Sequence, residues 1–433
     1  MKHRDSYWCR LDNAAKLFPA VSTGLATNVF RLTARLKEDI QKELLQKAVE
    51  ISLEEMPAFK IKLHKGLFWY YFEHNPNKPH VKEEFAYPCR KIDRYTNNSY
   101  LFEVTYFEKN INCEVFHALS DGTGAVKFLR LIVEHYLILA HPEQNLKIEN
   151  DKTVCSDIAR SEDSFVRISS DKTIKSESMV RSASYSIDSL SSTNSEVRVI
   201  KGIMSTSQVK NAAKEKGVTI SVFITALLIY SIYLESFRYH PVDKPISICI
   251  PVNLRRFFPS QTQRNFFTTV PVGVNFYKKD YSLDEVIRLT AEGFEEQLCE
   301  QSLLAKVKYG VSIQNKIYLR FTPLFLKNLG LKIAFAKGEK GFTSVVSNLG
   351  AVTLSKGFED YVERFELLLS PTKSNSYKTS ACSFGDKFVY AFTVNVEDTD
   401  IQKRFFSLLV DSHIDVTISC NEYSFNNSKE DKD

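Results

Sequence analysis

The chain has 433 residues, of which 43% are hydrophobic, 25% charged and 12% aromatic. That composition excludes a wholly disordered, collagen-like or coiled-coil chain, and the length exceeds one ordinary core, so two or three domains are expected. The 57 Lys+Arg against 52 Asp+Glu leave a net charge of +5 with no run of five or more basic residues, so no nucleic-acid footprint is visible and an anionic small molecule suits the bias equally well.

In chain order, the opening MKHRDSYWCRLDNAAKLF lacks the apolar core of a signal peptide. Residues 1–142 read as a mixed α/β unit. TNVFRLTARL (27–36) predicts a strand, and 38–55 a helix through Ile40, Leu44, Leu45, Ala48 and Ile51. Two hairpins follow, 58–63 with 67–73 around a His64-Lys65-Gly66 link, and 100–108 with 111–117 around Lys109-Asn110. Ala125, Leu129, Ile132, Val133, Tyr136 and Leu137 share one face of a helix over 122–140, which Pro142 ends.

Residues 143–195 change character. Between 161 and 195 there are 13 serines in 35 residues and no Gly or Pro, which predicts a crossover or linker. The α/β pattern returns over 196–433. A strand is expected at 197–204, then a helix capped by Ser207 and ended by Gly217. Residues 218–234 are 17 in a row without a charge, the lower limit for a bilayer span, but Thr219, Ser221, Thr225, Tyr230 and Ser231 interrupt them, so a buried core helix over 219–237 is expected. Strands follow at 245–252 and 267–277, and an amphipathic helix capped by Ser282 at 282–298. Four more strands are expected at 342–350, 363–370, 376–384 and 387–396, before a closing helix at 398–412 and a frayed tail.

The eight cysteines are scattered without a C-x-x-C pair, so neither a zinc knuckle nor a disulfide framework is indicated and a reducing cytoplasm is expected. His64, His74 and His80 lack partners at metal spacing, and His135 and His413 read as structural. There is no phosphate loop and no nucleophile elbow; Gly122-Thr123-Gly124 lacks the third glycine of a dinucleotide loop.

The sharpest local pattern is His117-Ala118-Leu119-Ser120-Asp121-Gly122, an H-x-x-x-D-G between a predicted strand and a strong helix. A neutral imidazole there can take the proton of an alcohol or amine as it attacks an activated acyl group, a contribution of roughly 10²–10⁴-fold; the alternative is a histidine beside a loop. Asp121 is either a helix cap or the partner of a cation, and Gly122 supplies either room or an unusual φ. Arg255, in PVNLRR (251–256), is suited to a forked pair with a carboxylate or else lies in a solvated turn. Ser347 and Asn348, in SNLG (347–350), offer small polar donors or form an ordinary turn.

Taken together, H-x-x-x-D-G at 117–122, PVNLRR at 251–256 with Asn265 shortly after, SNLG at 347–350 and the opening YWCRLDNAAKLFPA (7–20) resemble the chloramphenicol acetyltransferase and condensation-domain superfamily, nearest to its bacterial alcohol acetyltransferase-like members. The resemblance spans essentially the whole chain, and the order of its motifs is more specific than any one of them. It implies an α/β fold of two similar chloramphenicol-acetyltransferase-like subdomains, each a mixed β-sheet flanked by helices, with an active-site channel between them. His117 would be the general base. Asp121 would pair with Arg255, and with Gly122 support the catalytic loop. Ser347, Asn348 and Asn265 would line the substrate and CoA channel. Phe116 precedes the histidine, so the doubled histidine of many condensation domains is absent, as is the D-F-G-W-G element of plant acyltransferases.

The expected activity is transfer of an acetyl or other short acyl group from acyl-CoA to a hydroxyl or amine in a ternary complex. Acetyl-CoA or acyl-CoA is a co-substrate; no bound cofactor or metal is implied. The expected partners are a small-molecule acceptor and acyl-CoA, with no nucleic acid and no membrane span, and the resemblance implies a monomer. Two rivals stand beside this reading: a condensation-type enzyme fed by a carrier-protein thioester, and a catalytically silent ligand-binding or scaffold protein of the same fold.

Overall fold

The computed structural model describes residues 8–24, 26–149, 162–169, 182–187, 197–314, 316–372 and 375–421. The N-terminal part runs β1 (Trp8–Arg10), α1 (Phe18–Val21), β2 (Val29–Leu36), α2 (Lys42–Glu55), β3 (Ile61–Lys65), β4 (Tyr70–His74), β5 (Val81–Glu83), β6 (Phe102–Phe107), β7 (Asn110–Phe116) and α3 (Gly122–Ala140). His64 and Lys65 therefore belong to β3, and the turn of that hairpin is made by 66–69, with the Gly66 N–H donating to Trp69 O at 2.9 Å. Most of the Ser-rich segment lies outside the described residues; Ser164–Ser169 forms a short α4.

The C-terminal part runs β8 (Arg198–Ser205), α5 (Thr206–Glu215), α6 (Ile220–Ile232), β9 (Ile246–Asn253), β10 (Phe267–Val274), α7 (Leu283–Gln297), α8 (Glu300–Gln314), α9 (Ile317–Phe321), α10 (Leu324–Glu339), β11 (Ser344–Ala351), β12 (Val362–Leu369), β13 (Tyr377–Phe384), β14 (Lys387–Val394), α11 (Asp400–Asp411) and β15 (Thr417–Cys420). Ser205, not Ser207, caps α5, accepting from the Gln208 N–H. Ser282 and Glu285 form a capping box on α7. Helices α8 to α10 fill a stretch for which the sequence pattern predicts no element.

Three sheets result, ordered β1-β4-β3, β12-β2-β7-β6-β5 and β10-β9-β11-β13-β14-β8-β15. The expected mixed α/β architecture is thus present, but β12 crosses from the C-terminal stretch of chain into the N-terminal sheet, antiparallel to β2 with Leu367 opposite Leu32. It also lies against the larger sheet, where Cys382 Sγ of β13 donates to Phe365 O at 3.1 Å. The seven-stranded sheet is mixed because β11 inserts parallel to both β9 and β13.

Each large sheet has its own core. One gathers Phe59, Phe102 and Phe128 with the apolar face of α3; the other gathers α6 with Phe237, Tyr390, Phe392 and Phe405. Helix α6 is buried at ten of its positions from Val222 to Ile232 and passes into a π turn over Tyr233–Phe237. Among the described residues, this 18-residue run, 67% buried inside the protein, is the one helix long and apolar enough to cross a membrane. An all-round apolar helix wrapped by neighbouring elements needs no lipid to cover it.

Candidate active site

His117 is the first residue after β7, and its backbone N–H donates to Asn28 O at 2.9 Å. The strand delivers the imidazole among three aromatic rings. Phe18 of α1 stacks on it at 4.4 Å, Phe30 of β2 meets it edge-on at 5.2 Å, and Phe267 of β10 lies tilted at 5.1 Å. Phe267 comes from the larger sheet, so residues of both large sheets meet at this ring. Removal from water among these rings pushes the imidazole below its ordinary value, and the charge of Lys378 on β13 adds to the effect. The ring is only half-buried, which leaves it reachable.

One tautomer is selected. His117 Nδ1 lies 3.1 Å from Asn265 Oδ1. An amide oxygen only accepts, so Nδ1 carries the proton and Nε2 the lone pair. The orientation of the Asn265 amide is set in turn: its Nδ2 donates to Asp12 Oδ2 at 3.3 Å. Asp12 also accepts the Ala15 N–H at 2.7 Å, and burial pushes its carboxyl up to about 7. Asn265 is 1% exposed. Its side chain thus lies between His117 and Asp12.

Asp121 and Arg255 hold this loop in place. Asp121 caps α3, its Oδ1 accepting from the Gly124 N–H at 3.1 Å, which is the bond expected of an aspartate at that position. Its other oxygen, Oδ2, accepts from Arg255 Nη1 at 2.7 Å and from the Phe266 N–H at 2.8 Å. Both alternatives for Asp121 therefore hold at once. Arg255 sits in the 3-10 turn Leu254–Arg256 after β9, where Asn253 Oδ1 accepts its backbone N–H at 3.0 Å. Its Nε donates to Thr262 O at 3.1 Å. One guanidinium thus ties the helix start to the loop that carries Asn265.

Gly122 of the motif and Gly124 after it provide room. Gly122 has no positive φ; a Cβ there would meet Leu349 Cδ2 at 2.7 Å, which sets the 347–350 segment against the start of α3. Gly124 is tighter, since a Cβ would fall 2.1 Å from Ser120 Oγ and 2.2 Å from Gln263 O. Ser347 and Asn348 lie on β11 opposite Ser380 and Ala381 of β13. Asn348 Nδ2 donates to Ser221 Oγ at 3.1 Å and its Oδ1 accepts the Gly350 N–H at 2.9 Å, so this side chain braces the turn that ends in the left-handed Gly350 (φ 78°). The structure thus brings His117 to Asn265, Asp121 to Arg255 and Gly122 to Leu349.

Phe18, Phe30, Phe267, Asp12 and Lys378 belong to the site and are not singled out by the sequence reading. Phe18 lies inside the 7–20 segment, which was the available signal for it. A cavity of about 110 Å³ opens beside Phe116 and Pro19, the chain neighbours of His117 and Phe18, with Lys91 and Arg94 in its lining.

No protein-family model and no curated protein matches the chain. Solved structures do. The trichothecene 15-O-acetyltransferase of Fusarium sporotrichioides superposes with a TM-score of 0.60 at 12% identity, covering 94% of each chain. The condensation domain of the monacolin K polyketide synthase superposes at 0.59 and 11% identity, covering 94% of this chain and 97% of that one. The wax ester synthase/diacylglycerol acyltransferase of Marinobacter aquaeolei superposes at 0.53 and 11% identity, covering 94% and 99%. At such identities the likeness establishes the fold, the two-subdomain architecture of condensation domains and chloramphenicol-acetyltransferase-like proteins.

Proposed function

We propose that the protein is an acyltransferase that moves an acetyl or other short acyl group from acyl-CoA to a hydroxyl or amine. The observation that carries this reading is the state of His117: a half-buried imidazole held neutral by its aromatic surroundings, with Nδ1 occupied and Nε2 free. In the proposed reaction Nε2 takes the proton of the acceptor as its oxygen or nitrogen bonds to the thioester carbon. The tetrahedral oxyanion then collapses, the carbon–sulfur bond breaks, and the imidazolium returns the proton to the departing thiolate. No covalent enzyme intermediate is needed. Ser347 and Asn348 are the candidates for oxyanion or thioester contact. Lys91 and Arg94 suit a phosphorylated donor arm at the adjoining cavity.

The fold is shared with proteins named as acyltransferases and with condensation domains alike, which supports this reaction class and also keeps a carrier-protein thioester as the second reading. Cys9, Cys89, Cys113, Cys299, Cys382 and Cys420 form no disulfide, in keeping with an enzyme that meets its CoA ester in a reducing cytoplasm.

The test is thiol release from acetyl-CoA across a panel of alcohols and amines, with His117→Ala beside the unaltered protein. Acceptor-dependent release that vanishes in His117→Ala supports the reading. Release that persists in a folded His117→Ala refutes it. Turnover only with an acyl-loaded carrier moves the assignment to the second reading, and acyl-CoA binding without turnover favours a silent binding protein.

A further inference from the structure

The segment 301–338, covering α9 and most of α8 and α10, contains seven Lys or Arg and no Asp or Glu. The whole chain nets +5, so the remaining residues together net −2. The positive bias of the protein is therefore local. Five of the seven, from Lys316 onward, lie in or beside α9 and α10, where an apolar face is turned to solvent. Only Leu324 of α10 is buried. Phe325, Leu329 and Ile333, spaced four apart and so stacked along one side of the helix, are 66%, 58% and 53% exposed.

The stripe is widened by its neighbours. Phe321 at the end of α9 is 74% exposed, and Leu67 in the β3–β4 turn is 73% exposed. That turn is fastened to α10: the Leu324 N–H donates to Leu67 O at 2.9 Å, Lys327 Nζ donates to Phe68 O at 2.9 Å and lies 3.3 Å over the Trp69 ring, and Asn328 Nδ2 donates to Tyr70 Oη at 2.9 Å. Turn and helix thus present one continuous surface. Exposed Lys316, Lys332 and Lys337 border it.

We propose that this face docks on an anionic lipid bilayer, with α10 lying in the headgroup region and not spanning it. A contiguous exposed apolar surface on a folded protein marks an interaction site. Apolar and aromatic residues on one face with lysines around them complement an anionic membrane surface, and Glu339 at the far end of α10 is engaged by the Thr372 hydroxyl. At 16 residues, α10 falls short of the roughly 20 that a bilayer span requires, and Pro323 separates it from α9. Docking there has a consequence for the site: α1 packs on α10, and its Phe18 stacks on His117, so the bilayer lies one short helix away from the imidazole. The docking itself does not depend on acyl transfer and is tested apart from it.

The experiment is flotation of the full chain with vesicles of phosphatidylcholine alone or with about 30% phosphatidylglycerol. Two variants accompany it, Phe325→Ser/Leu329→Ser/Ile333→Ser and Lys332→Gln/Lys337→Gln. All five side chains are exposed, and unchanged circular dichroism and thermal unfolding verify that the variants fold. The expected result is recovery with the anionic vesicles only, abolished by the apolar triple substitution and weakened about tenfold or more by the lysine pair, since each lysine near an anionic surface is worth roughly a fivefold change in partitioning. No flotation of the unaltered chain overturns the proposal, as does flotation that the triple substitution leaves intact. A dimer in solution that the triple substitution dissociates, without any vesicle binding, also overturns it by assigning the face to a second copy of the chain.

Discussion

Replacing Asp121 by alanine tests the frame that holds the loop carrying His117. The carboxylate accepts three bonds, from Arg255 Nη1 at 2.7 Å, the Phe266 N–H at 2.8 Å and the Gly124 N–H at 3.1 Å. The Asp121 and Arg255 side chains are only 7% and 11% exposed. Loss of the cap alone costs about 1 kcal/mol. Loss of a buried partner leaves the Arg255 guanidinium uncompensated, and removal of one member of such a pair costs roughly 3–5 kcal/mol. These contributions overlap, so Asp121→Ala is expected to destabilise by about 3–5 kcal/mol in total. The assay is a double-mutant cycle by urea unfolding, read at the first transition, with Asp121→Ala, Arg255→Met and the double variant. Removing Arg255 as well takes away the stranded charge, so the double variant is expected to fall short of the summed singles by roughly 2 kcal/mol or more. Strictly additive singles, or an Asp121→Ala loss within about 1 kcal/mol, would refute the reasoning.

The remaining predictions concern the histidine and its neighbours. Because burial holds His117 below its ordinary value of 6.5, the neutral base persists above that pH; kcat/KM is expected to be level from pH 7 upward and to fall only on the acid side, and a rate still climbing tenfold per unit between pH 7 and 8 would contradict it. The same shift makes the folded chain lose stability as pH drops below 6.5, where the unfolded imidazole takes up a proton and the folded one resists; Asp12, raised from 3.8 to about 7, acts oppositely and costs stability as pH rises across that interval. Asn265→Ala is expected to lower kcat by roughly 10–100-fold with little change in KM, since it frees the ring that Asn265 orients without touching substrate; a KM effect alone would place Asn265 on the channel wall instead. Gly122 of the motif and Gly124 just beyond it are expected to differ: Gly122→Ala meets only the movable end of Leu349, whereas Gly124→Ala meets the Gln263 backbone at 2.2 Å, so in thermal unfolding the second loses several times more stability than the first.

Much of the candidate site is legible in the chain because its parts are local. A strand followed by His117, a capping Asp121 and an apolar helix face each report on their own neighbourhood, and Arg255 stands directly after a buried strand. The role of Asn265 is not local. It reaches His117 across 148 residues, and only the pairing of β10 with β9 and the loop held by Arg255 bring it behind the imidazole. Helix α10 escapes the periodicity argument for a related reason. The apolar residues of α10 face water as well as the protein, so no single buried face marks the helix.

By itself, the sequence determines the order and type of most elements, the caps at Asp121 and Ser282, and the identity of the imidazole. These follow from spacing over a few residues, where backbone geometry dictates which side chains share a face. The tertiary structure alone decides that β12 joins the N-terminal sheet, that Phe18, Phe30 and Phe267 surround His117, and that Asp12 and Asn265 select its tautomer. Strand partners and desolvation depend on contacts between residues distant in the chain, and those contacts set the charge and the aim of the His117 imidazole.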